Sequence, residues 1–146
     1  YVGFEWSDDD SDAGAGVSTY DLTTATWNWG WATSVGPPFG SLKAWRKNAS
    51  VSPDGTSVLL AAGFSTDFAH LDQPYSIYRV DADGTDAVRV LGGDGRSYTM
   101  AVWSPDGRQI AVDAPDGVVI ANADGTTANL VIRGGHKPDW APQPNR

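Results

Sequence analysis

One four-residue word occurs twice in this chain, and it restricts the fold more than any other feature. Ser52-Pro53-Asp54-Gly55 returns 52 residues later as Ser104-Pro105-Asp106-Gly107. The lead-in Trp103-Ser104-Pro105 is echoed 37 residues further on by Trp140-Ala141-Pro142. A second word follows each complete copy: Asp81-Ala82-Asp83-Gly84-Thr85, then Asn122-Ala123-Asp124-Gly125-Thr126. Self-similarity at a period of roughly 20–50 residues marks an array of supersecondary units. Both words carry turn chemistry: proline presets φ at the first corner, aspartate accepts backbone N–H bonds across it, and glycine takes the positive φ that closes it. The turns alternate with short apolar runs at Val58–Ala62, Ile77–Val80, Ala87–Leu91, Ile110–Val112, Val118–Ala121 and Ala128–Ile132. Each unit therefore reads as four antiparallel strands. The earlier unit is longer because an insertion, Phe64 to Pro74, enlarges its middle loop.

Composition agrees with an all-β chain. Strong helix formers are scarce, while 13 Val and 11 Thr sit among 17 Gly and nine Pro. The acids are 17 Asp against the single Glu5, and the formal net charge is −8. Nucleic acids and anionic membranes need clustered cations, whereas these three Lys and seven Arg are scattered, so both classes are excluded as expected partners. The longest apolar stretch, Val58 to Phe64, contains a glycine and falls far short of the roughly 20 residues of a spanning helix, so no membrane insertion is expected. Cysteine is absent, which removes disulfides, thiolate metal sites and thiol nucleophiles. The chain opens at Tyr1 with neither a basic nor an apolar leader, the expectation for a mature product or a fragment.

The units fall at about residues 1–43, 44–97 and 98–135, and residues 136–146 repeat the first strand of a further or closing unit. In the first of them Tyr1 to Trp6 stands where a second strand belongs, so the surplus strand at one terminus matches the strand missing at the other. Four-stranded units announced by Trp-Ser-Pro-Asp-Gly, with Asp-x-Asp-Gly between their third and fourth strands, resemble TolB-like β-propeller blades, the WD-like repeats of bacterial envelope proteins. The resemblance covers nearly the whole chain and is strongest from Ala49 to Pro142. It implies a propeller whose first strands line a central channel and whose closure joins strands from both termini. Propellers have about four to eight blades, and TolB-like ones commonly six. Three units therefore imply either part of a longer propeller or copies that complete one ring by exchanging terminal strands.

Candidate chemistry is sparse. No Gly-x-Ser-x-Gly elbow occurs, and His70 and His136 are the only histidines. Asp81, Asp83 and Asp86 alternate as cation ligands would, but they lack the remaining ligands of a calcium loop, so the reading is a turn, and no metal or cofactor is expected. The run Asp8-Asp9-Asp10-Ser11-Asp12 reads as a solvated loop. Trp27, Trp29 and Trp31 alternate, so in a strand their indoles share one face: packing between blades, or else a shelf for sugar rings or a partner's apolar groups. Phe64, Phe68, His70 and Tyr75 lie on or beside the insertion and form the expected partner surface. The resulting expectation is a non-enzymatic propeller scaffold for protein–protein interaction, acting in a bacterial periplasm or outside the cell. The alternatives are a glycan-binding propeller and the gating propeller of a prolyl-oligopeptidase-like peptidase.

Overall fold

The computed structural model describes residues 19–21, 26–28, 43–65, 74–82 and 86–141. Ten strands occupy them in chain order: β1 (Thr19–Asp21), β2 (Thr26–Asn28), β3 (Lys43–Val51), β4 (Ser57–Ser65), β5 (Ser76–Asp81), β6 (Val88–Leu91), β7 (Met100–Trp103), β8 (Gln109–Ala114), β9 (Gly117–Asn122) and β10 (Asn129–Arg133). They form two four-stranded antiparallel sheets, β3-β4-β5-β6 and β7-β8-β9-β10, and the separate hairpin β1-β2. Among the described residues no helix is long and apolar enough to cross a membrane.

The two sheets are copies of one plan, each strand pairing with its sequence neighbours. The last strand of each sheet carries an extra residue, Val90 of β6 opposite Ile77 and Tyr78 and Val131 of β10 opposite Val118 and Val119. Such bulges twist an outer edge away from further pairing.

Burial explains why β4 is a continuous apolar run and not an alternating one. Leu59 and Ala61 point to one face and join a core with Ile77, Tyr98, Ile110, Val112 and Val119, which lies between the two sheets. Val58, Leu60 and Ala62 point to the other face and join Tyr78 and Val80 in a second cluster. A strand buried on both faces loses the polar half of its alternation. β7 packs on β3 and β4, so the first strand of the second sheet seats against the first sheet.

The inserted loop begins later than the repeat lengths suggest. Pairing of β3 with β4 continues through Ala44–Phe64 and Lys43–Ser65, so Phe64 belongs to a strand. The reason is that β3 extends backwards as far as β4 extends forwards, which gives the extra residues backbone partners. Residues 66–73, including Phe68 and His70, lie outside the described residues, as do Trp29, Trp31, Asp83 and Gly84.

Two glycines separate backbone conformation from close approach. Gly55 has φ 75° and no atom where a Cβ would stand, whereas Gly125 has φ 85° and lies against the carbonyl of Val90 on β6. Gly55→Ala should therefore cost about 1–2 kcal/mol, the price of a left-handed L-residue. Gly125→Ala should exceed it, at roughly 3 kcal/mol or more, because a neighbouring backbone must also move. Chemical denaturation of both variants checks the order, and an equal loss would place the Gly125 turn away from β6.

Candidate functional site

The best-defined polar structure is the hairpin turn that opens each sheet. Gly55 N–H donates to Ser52 O at 2.9 Å, and Gly107 N–H to Ser104 O at 2.9 Å, closing the two corners. The Asp54 carboxylate accepts from Ser52 Oγ (2.6 Å), Thr56 N (3.0 Å) and Thr56 Oγ1 (2.9 Å). Asp106 accepts from Ser104 Oγ (2.7 Å) and Arg108 N (3.1 Å). Proline, aspartate and glycine thus act as their residue types predict. The serines add what the motif alone did not reveal. Each is buried, and its hydroxyl accepts the amide of the strand beyond the turn, Ser57 N or Gln109 N, at 2.9 Å.

The second word works the same way where it is described. Asp124 accepts from Thr126 N (2.9 Å) and Thr126 Oγ1 (2.6 Å). Thr127 and its counterpart Asp86 both take positive φ, 55° and 50°. The words also touch across each sheet: Ala82 N–H donates to Thr56 O at 2.8 Å and Ala123 N–H to Arg108 O at 2.9 Å.

These carboxylates are held below the ordinary carboxylate range. The serine hydroxyl is the leading cause at Asp54 and Asp106, and the Thr126 hydroxyl at Asp124, where the charge of Arg79 adds to it. A depressed folded value contributes stability above the unfolded value and loses it as pH falls through the folded one. Melting temperature should therefore decline as pH drops below about 4. Asp106→Asn should flatten that decline, and an unchanged acid limb would show that the turn bonds do not distinguish the ionised acid.

Tryptophan links the units. Trp103 Nε1–H, at the end of β7, donates to Ser50 O on β3 at 3.1 Å. Trp140 stands one repeat later, and its Nε1–H donates to Val102 O on β7 at 3.3 Å. Both indoles are partly buried, and Trp103 packs against the core between the sheets while its N–H reaches a strand carbonyl. Trp45 lies in β3 and Trp27 in β2, while Trp6 is outside the described residues.

The two ends of the sheets differ. At the turn end, Ser52, Asp54, Arg79, Trp103 and Asp106 line a shallow cleft of about 320 Å³ between the two sheets. Arg79 occupies the position of Ile120 in the second sheet. The opposite end carries Tyr75, whose N–H donates to Ser97 Oγ (3.1 Å) and whose O accepts the Tyr98 N–H (2.9 Å). Tyr98 donates its hydroxyl to Asp94 at 2.8 Å, and Arg96 lies over the Tyr98 ring and pairs with Asp116. Burial, then the Asp94 bond, pushes the Tyr98 phenol up to about 12. Among the described residues no group of three His, Asp or Glu side chains is placed to hold a metal.

Stacked four-stranded antiparallel sheets with repeat-equivalent contacts between them fit a β-propeller. Among solved structures the chain is similar to a TolB-designated protein of Agrobacterium tumefaciens, with 21% identity, a TM-score of 0.58, and a match over 86% of this chain and 40% of that one. The chain thus spans well under half the length of that relative, and the likeness shows a TolB-like fold. No protein-family model and no curated protein matches the chain.

Trp103→Ala should cost about 3 kcal/mol, the lower end for a large aromatic because the indole is only partly buried. Trp103→Phe should lose about 1 kcal/mol or slightly more through the missing N–H bond to Ser50. Urea denaturation distinguishes the two, and a neutral Phe variant would mean the bond adds nothing to the seam.

Proposed function

We propose that this chain is a non-enzymatic propeller scaffold whose work is protein–protein interaction, beginning with the assembly of its own ring. The observation that carries the reading is the repeat of the indole contact: Trp140 meets Val102 O as Trp103 meets Ser50 O. The segment around Trp140 is thereby seated on the second sheet as β7 is seated on the first. In this reading the seated segment is the first strand of a further blade and calls for three more. In this reading they come from the amino-terminal unit of a second copy, giving six blades about a two-fold axis. The same construction supplied by further polypeptide is the competing source.

In this reading, partners beyond the ring meet the chain at Tyr75 and the residues of the insertion that precede it in sequence. A bacterial envelope or extracellular setting follows from the likeness to a TolB-designated fold and belongs to the same proposal. An Asp-rich, cysteine-free chain of net charge −8 is compatible with that setting.

Light scattering on the 146-residue chain tests the assembly. A dimer that dissociates when residues 135–146 are removed is the expected result. A folded monomer at every concentration would overturn self-assembly, and open-ended aggregates would assign the missing blades to a longer polypeptide.

A further inference from the structure

One pair of repeat-equivalent apolar residues meets opposite surroundings in the two sheets. On β6, Val90 is the extra residue of the bulge and Leu91 pairs with Ile77. Both are packed against the core between the sheets. One repeat later, on β10, Val131 is the extra residue and Ile132 pairs with Val118. These two are 54% and 55% exposed.

What differs is the neighbour. Over β6 lies the next unit, whose β9–β10 turn brings Gly125 against the Val90 carbonyl. Over β10, among the described residues, the backbone at Gly135 meets Ile132. The inner part of the same face is already closed. Ala111 and Val118 are buried there, and Asp113, the counterpart of Ala61, lies 2.8 Å from His136 Nδ1 on the segment that carries Trp140. The second sheet thus has the inner half of a seam filled and the outer half open. The bulge at Val131 turns the edge of β10 away from an added strand, so this surface suits packing of another sheet across it.

The chain carries a hairpin of the matching kind. β1 ends at Asp21 as β5 ends at Asp81 and β9 at Asn122, and Asp21 pairs with Thr26 to close it. In sequence it belongs to the unit before the first sheet. A ring of three units is smaller than propellers adopt, so the hairpin that follows β10 comes from another chain.

We propose that Val131 and Ile132 form the outer contact of the closing seam and take the β1–β2 hairpin of a second copy against them. The proposal rests on the self-assembly reading above and adds to it the surface and the element that meet. Association is then held at two separate points, the Trp140 segment on β7 and the hairpin on β10. About a two-fold axis each point occurs twice in the ring.

The absence of cysteine makes the contact directly readable. Asp21→Cys and Val131→Cys are made in separate chains, mixed before refolding and treated with a short bis-maleimide. A covalent dimer in the mixture, absent from either variant alone, is the expected result. Ile132→Asp places a charge on a side chain that solvent already reaches in the single chain. Both sheets should therefore keep their amide protection while the dimer dissociation constant rises at least about tenfold. A wild-type dimer by light scattering that gives no cross-link, or that Ile132→Asp leaves unweakened, would overturn the hairpin contact and leave self-assembly standing. A monomer, or open-ended aggregates, would assign Val131 and Ile132 to further units of a longer polypeptide and overturn both.

Discussion

The bond from the Trp103 indole to the Ser50 carbonyl expresses the constraint on which the rest of the structure depends: each unit must be seated on the one before it. A four-stranded sheet with two apolar faces cannot bury both by itself. Leu59 and Ala61 need the second sheet, and Ile110 and Val112 need the first. The indole sets the position of that contact, since a donor half-buried at the seam has one carbonyl within reach. Trp140 applies the same rule to the next seam.

Register inside each sheet comes from the turn. The hydroxyls of Ser52 and Ser104 accept an amide from the returning strand while donating to the turn aspartate. One buried hydroxyl thus ties the corner to the strand that leaves it. A slip by one residue would exchange the two faces of β4 and send Leu59 and Ala61 away from the seam they fill. Turn, register and seam are three levels of one requirement, and they agree.

Much of this was legible because the repeat displays it twice. Pro53, Asp54 and Gly55, matched by Pro105, Asp106 and Gly107, announce the turn through residue types whose backbone preferences are strong. Asp124 and Gly125 do the same for the second corner. The serine's double role was not legible, since a serine in a turn is ordinarily exposed and only burial makes its hydroxyl a strand partner. Phe64 reads as loop in the sequence because unit length shows that residues are inserted but not how far the flanking strands extend. The half-burial of Trp103 depends on which carbonyl lies opposite, a property of the stacked sheets. Asp113 and His136 are 23 residues apart, and nothing in their spacing announces the contact. The apolar plan makes Asp113 an exception once Ala61 is seen to be its counterpart.

The seam is tested most directly by nuclear Overhauser contacts from the Trp103 indole proton. With Nε1–H donating to Ser50 O, that proton lies close to the α-protons of the β3 backbone around Ser50 and is shielded from solvent. Cross-peaks to Ser50 and Val51 and slow exchange of the indole N–H are the predicted result. A rapidly exchanging indole with no cross-peak to β3, in a chain whose two sheets are otherwise intact, would contradict the stacking of the units.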